Sequence, residues 1–282
     1  EILIGLVGSE MCIRDRMHSQ GNAPEKAVYI GKSSNGFVGK TVQYVGKTAH
    51  AANAPHEGIN ALNAACLGIM GINALRETFK EDDMVRVHPI ITKGGDLVNN
   101  VPSDVRMELY VRAKTMEAID CQHHRVDEAL KAGGAAVGAK TVIETLPGMF
   151  PLACSPRLND LFVENIKEYF PETKIEEAGH FTASTDMGDI SHLMPSIHPF
   201  IGGVDGGLHT KDFCVTDFDA AAILPGKVFA MNIIDLLYDE AAMAKEILEK
   251  EKPILTKEEY LAKLESLSLI HISEPTRPIS IS

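Results

Sequence analysis

The segments "GFVGKTVQYVGK" (residues 36–47) and "HEGINALNAACLGIMGINALRETF" (residues 56–79) decide the fold of the middle of the chain. The first alternates apolar and polar residues, as a half-buried strand does. The second places Ala, Leu and Ile at helical spacing and predicts a long, largely buried helix. A strand followed by a helix is the start of an α+β unit.

Four further segments complete this unit. Two strand-like runs, 84–92 and 104–113, are joined by a loop rich in Gly and Asn. A helix over 115–138 that closes on glycines and a strand over 140–146 follow. The predicted order of strand, helix, strand, strand, helix, strand is typical of a ferredoxin-like α+β unit.

The sequence after two prolines, Pro147 and Pro151, has a different character. It predicts a helix over about 157–170, a loop-rich stretch as far as Asp212, and long helices up to Leu264. This pattern indicates the closing part of a larger α/β domain. We therefore expect the ferredoxin-like unit to be inserted into that domain.

Both ends of the chain look unlike natural protein. The codons of "LVGSEMCIRDR" (residues 6–16), read as their reverse complement, can encode "LSLIHISEPTR" (residues 267–277). One DNA element in two orientations accounts for both, and it resembles the transposase adapter of sequencing libraries. Such scars are excluded from fold reasoning. We expect residues 1–16 and 267–282 to be translated adapter, and residues 17–266 to be an internal fragment.

The composition describes an acidic chain. Its 282 residues carry a formal net charge of −12, which becomes −11 without the adapter ends, because these hold four acidic and three basic residues. This balance argues against a nucleic-acid partner, which requires faces rich in Lys and Arg. The most apolar stretch, 220–237, contains Pro225, Lys227 and Asp235, so we expect no membrane span. The few cysteines, with no CxxC pair, indicate a cytoplasmic protein without a disulfide framework.

Several histidines are candidates for chemistry. His209 follows a glycine-rich loop (202–208), where a neutral imidazole can reach a metal ion, although an ordinary loop histidine fits this spacing as well. His50 lies in an Ala-rich loop before a helix, where it could cap, pack or point at a ligand. His123 and His124 are predicted to lie on the solvated face of a helix.

The segment "STDMGDIS" (residues 184–191) concentrates short polar side chains and two carboxylates. Ser, Thr and Asp cap helices, so a capped turn explains the segment on its own. Its closeness to His192, His198 and His209 favours a second interpretation, because a His/Asp cluster suits a divalent ion.

Four motifs taken together resemble one metallopeptidase family, that of aminoacylases, glutamate-releasing carboxypeptidases, hippurate hydrolases and aminobenzoyl-glutamate hydrolases. The likeness is greatest to the branch with the B-type aminobenzoyl-glutamate utilisation protein and the aminoacylase-1-like dipeptidases, and it covers about residues 17–237. The motifs are "GKTAHAANAPHEGINALNAA", "ITKGGDLVNNVPSDV", "STDMGDISHLMPSIHPFIG" and "LHTKDF". The resemblance implies an α/β catalytic domain with one or two divalent ions, Zn or Mn, interrupted by a ferredoxin-like lid and dimerisation domain.

With this resemblance, the expected domains are a partial catalytic domain over 17–35 and 148–266 and a lid domain over 36–147. His18, in "MHSQ", matches the last metal ligand before the lid, and His209 matches the C-terminal metal-ligand histidine. His50 matches the lid histidine that stabilises the oxyanion in the partner subunit's active site.

The resemblance also implies the residues that bind substrate. Asn99 matches the Asn of the family's N-V-x-P loop and, with Arg112, is a candidate for holding the substrate's carboxylate or carbonyl. Asp186 occupies an acidic position near the site. The implied substrate is a small molecule, either an N-acyl amino acid, an aminobenzoyl-glutamate-like conjugate or a dipeptide.

The implied reaction is hydrolysis of an amide bond by a metal-bound water, in a homodimer assembled through the lid. The family's first ligand motif, its bridging acid and its general-base glutamate lie upstream of Met17 and are missing from this sequence. We therefore expect this chain by itself to be inactive. A non-catalytic homologue that keeps the fold for dimerisation or ligand binding is the alternative.

Overall fold

The computed structural model describes residues 13–274. The chain divides into two compact units, unit 1 (Glu1–Asn35 and Phe150–Tyr260) and unit 2 (Gly36–Met149 and Leu261–Ser282). The outer parts of the expected adapter, residues 1–12 and 275–282, lie outside the described residues.

Each unit has its own helices and strands. Unit 2 contains β4 (Gly36–Val45), α1 (Ala61–Leu75), β5 (Arg86–Lys93), β6 (Asp104–Ala113), α2 (Met116–Val137), β7 (Lys140–Met149) and β13 (Leu269–Ser273). Unit 1 contains β1 (Arg14–Asp15), β2 (His18–Ser19), β3 (Ala27–Ser34), α3 (Pro156–Tyr169), β8 (Lys174–Phe181), α4 (Met187–Leu193), β9 (Ser196–Ile197), β10 (Phe200–Ile201), β11 (Val204–Asp205), β12 (Cys214–Val215) and α5 (Leu224–Lys250), while α6 (Lys257–Leu267) crosses the boundary.

Unit 2 has the predicted ferredoxin-like topology. Its strands follow the order β13-β7-β4-β6-β5 and pair antiparallel, with α1 and α2 packed on one face. The Asn60 side chain caps α1 by accepting from the next amides, and the Thr115 hydroxyl caps α2 in the same way. Gly138, with a left-handed φ of 76°, ends α2. The glycine at the end of α2 is one of the local signals from which the sequence predicted the unit.

The helices of unit 2 cross where both lack side chains. A Cβ on Gly133 would stand 2.5 Å from the Gly68 nitrogen, so only glycine permits this approach of α2 to α1. The prediction that His123 is solvated was wrong, because the inner face of α2 buries it, whereas His124 is exposed.

The described residues of the expected adapter take part in strand pairing. β13 extends the unit 2 sheet beside β7, with Ile270 opposite Glu144, and β1 pairs with β9. Strand pairing uses main-chain groups, so an unpaired edge accepts an extended segment of almost any sequence. We give residues 13–16 and 267–274 no functional role.

Unit 1 is built around a four-stranded sheet with the order β2-β10-β3-β8, in which β3 and β8 are parallel. Its core joins Val28 and Ile30 of β3 to Phe162 of α3 and Val228 of α5. The helix predicted over 157–170 is present as α3. The stretch predicted to be loop-rich contains β8, an edge strand with no buried residue, which lacks the apolar pattern of a buried strand.

One segment of unit 1, Asp219–Lys250, is long and apolar enough to cross a membrane by length and composition. Its backbone leaves helical geometry at residues 238–241. The α-helical part before that point, residues 224–237, measures roughly 21 Å, and a π-helical segment, Asp219–Ile223, runs directly into it. Leu224 and Val228 of this helix are buried in the core of unit 1. Ile233 and Ile234 of the same helix are exposed, and 28% of its most apolar stretch is buried.

Candidate functional site

His18 is held in one protonation pattern by its own strand. Its Nδ1 lies 2.9 Å from the main-chain oxygen of Ser19. A carbonyl oxygen only accepts, so Nδ1 carries the proton and donates it. In the neutral ring, the lone pair is therefore on Nε2, and the ring is exposed. A histidine that donates its second nitrogen to a carbonyl has the arrangement usual for metal ligands.

A second histidine lies beside it. The ring centroids of His198 and His18 are 6.1 Å apart and nearly perpendicular. His198 is 2% exposed, and neither ring nitrogen has a hydrogen-bond partner among residues 13–274. Burial, with the charges of Arg16 and His18, lowers the pKa of His198 to about 4, so its imidazole is neutral. A neutral, unpartnered imidazole next to an available Nε2 is a donor set that fits a divalent ion.

His209 lies on the hairpin loop between β11 and β12. It is exposed and has a left-handed φ of 62°, which is uncommon for a residue with a side chain. The segment after His18 packs against this loop: the Asn22 amide donates to the Gly206 oxygen at 2.9 Å, and Gly21 approaches Leu208. Unit 1 therefore brings the His18 segment and the His209 loop into contact.

His50 in unit 2 has the opposite arrangement to His18. Its Nδ1 accepts hydrogen bonds from the amides of Ala52 at 3.2 Å and Asn53 at 3.0 Å. Because an amide only donates, the neutral ring carries its proton on Nε2. The exposed His50 ring therefore presents an N–H donor, which is what a developing oxyanion requires.

Asn99 is tied to the His50 loop by main-chain hydrogen bonds. The Ala51 amide donates to the Asn99 oxygen at 2.8 Å, and the Val101 amide donates to the Ala49 oxygen at 2.9 Å. The neighbours Ala51 and Asn100 line a surface cavity of about 590 Å³. The predicted residues His50 and Asn99 are thus brought together at one end of the unit 2 sheet.

A polar cluster fastens the base of these two loops. Asp104, the first residue of β6, accepts from Gln43 of β4 at 2.7 Å and pairs with Lys93 of β5 at 2.9 Å. These hydrogen bonds lower the pKa of Asp104 to about 2. The three strand ends that carry the His50 and Asn99 loops are therefore joined through one carboxylate.

Arg112 lies at the other end of the same sheet. It is eight residues along β6 from Asp104, or roughly 27 Å at the rise of an extended strand. Its guanidinium stacks on Phe37 at 5.0 Å and on Tyr110 at 5.3 Å, and burial lowers its pKa. One copy of unit 2 therefore does not bring Arg112 together with His50.

Asp186 precedes α4 and is largely exposed. Its carboxylate is paired with Arg16, a residue of the expected adapter. Partial burial acts to raise the pKa of Asp186, but the Arg16 charge and hydrogen bond outweigh it, so the net direction is downward. The Asp186 side chain caps no amide of α4, and the Met187 amide donates instead to the Thr185 hydroxyl at 3.3 Å.

Residues 13–274 contain one group of three clustered metal-ligating side chains, formed by His123, His124 and Asp127 of α2. Lys40 already occupies it, since its ammonium lies 2.7 Å from the Asp127 carboxylate and 3.3 Å from His123 Nδ1. Thr145 accepts from the same ammonium at 2.8 Å. The group is a buried ion pair with its cation supplied by lysine, and we place no metal there.

Comparison with known proteins agrees with the resemblance. Residues 33–137 match the family described as "Peptidase dimerisation domain". The chain is 32% identical over 245 residues to an Xaa-Arg dipeptidase of Mus musculus, covering 84% of this chain and 56% of that protein. It is 37% identical over 123 residues to the B-type component of the p-aminobenzoyl-glutamate hydrolase of Escherichia coli (strain K12), covering 44% of this chain and 24% of that protein.

Solved structures share the fold. The Bacillus subtilis YXEP protein, described as a dinuclear metal binding peptidase from the M20 family, superposes with a TM-score of 0.63 at 16% identity, covering 85% of this chain and 59% of that one. The chain spans about half the length of the curated relatives it matches.

Proposed function

We propose that this chain is part of a metal-dependent peptidase that cleaves an amide bond in a dipeptide or an N-acyl amino acid. Its similarity to M20 peptidases supports the proposal, as does the match of residues 33–137 to the peptidase dimerisation domain family. The observation that carries the proposal is that His18 and His50 hold their ring protons on different nitrogens. His18 offers a lone pair to a cation, and His50 offers a proton to an anion.

The metal would be held through His18 Nε2 and His209, on segments that are in contact in unit 1. The unpartnered nitrogens of His198 support a cation beside His18, because a buried polar group without a partner typically costs 1–3 kcal/mol. A divalent ion of this kind, when bound, polarises the scissile carbonyl and lowers the pKa of water. We infer that further ligands and the general base come from sequence upstream of residue 17, as in the family resemblance.

His50 and Asn99 would stabilise the negative charge that develops on the carbonyl oxygen. The His50 N–H is fixed before substrate arrives, since two main-chain amides hold its other nitrogen. Such preorganised donors are worth about 3–4 kcal/mol each in comparable enzymes. Arg112 is the candidate for the substrate carboxylate, since its planar guanidinium binds carboxylates through two hydrogen bonds.

The separation within unit 2 supports a homodimer. A dipeptide is about 7 Å long at the rise of an extended chain, so it does not bridge the roughly 27 Å between Arg112 and the His50 end of one sheet. We infer that one protomer supplies Arg112 and the other supplies His50 and Asn99. An apolar edge is available for pairing, because β5 borders the sheet with Ile90 61% exposed and α1 presents Met70 65% exposed.

The names of two relatives support a proposal for the substrate class. Those named for their substrate act on Xaa-Arg dipeptides and on p-aminobenzoyl-glutamate. The acidic chain favours encounter with a cationic or neutral substrate over a polyanion. We therefore propose dipeptides with a C-terminal Arg as the preferred substrates and aminobenzoyl-glutamate as the second candidate. We also propose that the enzyme is cytoplasmic.

The test is hydrolysis of a dipeptide panel and aminobenzoyl-glutamate with Zn²⁺ or Mn²⁺, by this chain and by the chain completed with its upstream sequence. We expect activity in the completed protein, its loss in EDTA, and none in this chain alone. Hydrolysis by the 282-residue chain would contradict the inference about missing ligands. An inactive completed protein that still dimerises in light scattering would favour the non-catalytic homologue.

A further inference from the structure

A serine, a histidine and an asparagine form a hydrogen-bonded chain in unit 1, separate from the residues discussed above. Ser33 Oγ lies 2.8 Å from His180 Nδ1, and His180 Nε2 lies 2.8 Å from Asn35 Oδ1. The amide oxygen only accepts, so Nε2 carries the proton. In the neutral ring, Nδ1 then accepts the proton of the Ser33 hydroxyl.

The three residues lie at the carboxyl ends of two parallel strands, β3 and β8. Ser33 and His180 are directly paired across the parallel strands β3 and β8, next to the ends of both. Open α/β sheets bind ligands outside the carboxyl ends of their strands. Asn35 is fully buried, and its main-chain N–H donates to the main-chain oxygen of Phe181 at 2.9 Å. Asn35 is therefore anchored to the same strand end as His180, the histidine that it orients.

There is space beside the hydrogen-bonded chain of Ser33, His180 and Asn35, at the cross-strand pair that precedes it. The preceding cross-strand pair is Gly31 and Gly179, which have no side chains. No heavy atom of the described residues, chain neighbours aside, lies within 4 Å of where a Cβ would stand on either glycine. Ser33 and His180 are half-buried, and of the two glycines Gly179 is exposed and Gly31 is buried. The glycine pair leaves room for a small acyl group beside Ser33.

We propose that Ser33 is a nucleophile activated by His180 and oriented by Asn35, a serine esterase-type site that accepts small activated acyl groups without a metal. A nucleophile bonded to a base that a third group orients is the arrangement common to such sites, and Asn serves as the third group in some of them. The histidine nitrogens exchange places relative to the serine proteases, where Nε2 faces the serine.

The step balances with water as the only co-reactant. Ser33 Oγ bonds to the carbonyl carbon of an ester as its proton passes to His180 Nδ1. The bond from that carbon to the alkoxy oxygen then breaks, and the leaving alcohol takes the proton back. Water repeats the sequence on the acyl-serine, releasing the carboxylic acid and restoring Ser33.

The test is labelling of the 282-residue chain by a fluorophosphonate probe in EDTA, with the labelled peptide located by mass spectrometry. Ser33 Oγ displaces fluoride, which leaves as hydrogen fluoride. We expect the label on Ser33, its absence in Ser33→Ala, and a rate about 100-fold lower in His180→Gln, since a general base typically contributes 10²–10⁴-fold. Gln keeps hydrogen-bonding capacity for Ser33 and Asn35 but is not basic.

Two variants control for folding and specificity. Ser34→Ala alters the adjacent buried serine, whose hydroxyl donates to its neighbour's carbonyl, and should label like the parent. Asn35→Asp should label at least as fast, because a carboxylate stabilises the imidazolium. No label on Ser33, or equal rates in His180→Gln and the parent with both folded by circular dichroism, would overturn the proposal. EDTA leaves this result unaffected and abolishes the proposed peptidase activity, so the two proposals fail separately.

Discussion

His18 in unit 1 and His50 in unit 2 are both exposed histidines near a strand end, yet the backbone gives them opposite proton positions. His18 donates from Nδ1 to a carbonyl, which leaves a lone pair on Nε2. His50 accepts at Nδ1 from two amides, which leaves a proton on Nε2. The same side chain thus offers a lone pair in one place and an N–H donor in the other, according to which main-chain group is its neighbour.

The buried polar groups of the two units differ as well. In unit 2, Lys40 is enclosed with Asp127, His123 and Thr145, and its ammonium contacts all three. In unit 1, the His198 nitrogens have no partner among the described residues. The buried carboxylate of unit 2 therefore has a cation beside it, whereas the buried imidazole of unit 1 has no hydrogen-bonding partner among the described residues.

The largest effect should come from breaking the enclosed pair of unit 2. Lys40→Met leaves Asp127 buried without its cation, and loss of one partner of a buried pair costs about 3–5 kcal/mol. The free energy of unfolding, measured by urea denaturation, should fall by that amount. The double variant Lys40→Met/Asp127→Leu should recover most of it.

A surface pair provides the control. Lys131 and Glu128 form an exposed ion pair on the same helix, so Lys131→Met should cost under about 1 kcal/mol. Equal losses in Lys40→Met and Lys131→Met would mean that the buried pair does not hold unit 2 together.

The next largest effect tests the His50 side of the comparison. In the completed protein, His50→Ala should lower kcat about 10²–10³-fold with little change in KM, because the donor acts on the transition state. The matched control is His56→Ala, which alters an exposed histidine of the same loop. A reduced metal content in His50→Ala would show that the donor role is wrong.

The His18 side predicts a change in binding rather than in rate. His18→Ala should weaken Co²⁺ binding to this chain by at least about tenfold in calorimetry, since even an outer-shell change typically costs 10–100-fold. His50→Ala should leave the affinity unchanged. If the two variants bind Co²⁺ equally well, the distinction between the two histidines fails.

The smallest effect concerns the carboxylate that joins the strand ends below the His50 loop. Asp104 has a folded pKa of about 2, below its ordinary value of 3.8, so its stabilisation is complete above about pH 4 and disappears as the pH falls towards 2. The contribution should be under about 1 kcal/mol for this partly exposed group. Between pH 2 and 5, the free energy of unfolding of Asp104→Asn should depend less on pH than that of the parent chain. An unchanged dependence on pH would exclude this role.

Much of unit 2 was predictable because its signals are local. Alternation in β4 and β6, the Asn60 and Thr115 caps and the glycine after α2 each act within a few residues. The strand β8 was missed, since it lies at a sheet edge and its sequence has neither a buried apolar run nor a regular apolar–polar alternation. The burial of His123 was missed for a related reason: its partner Lys40 is 83 residues away, and no local pattern records that contact.

The sequence by itself determined the ferredoxin-like unit, the family resemblance and the six candidate residues, because periodicity, caps and motifs are written in neighbouring positions. Tertiary structure alone decided which nitrogen of each histidine carries the proton, that Arg112 and His50 occupy opposite ends of one sheet, and that Ser33, His180 and Asn35 form a chain of hydrogen bonds. These properties depend on distances between atoms that are far apart in sequence, and the folded backbone is what sets them.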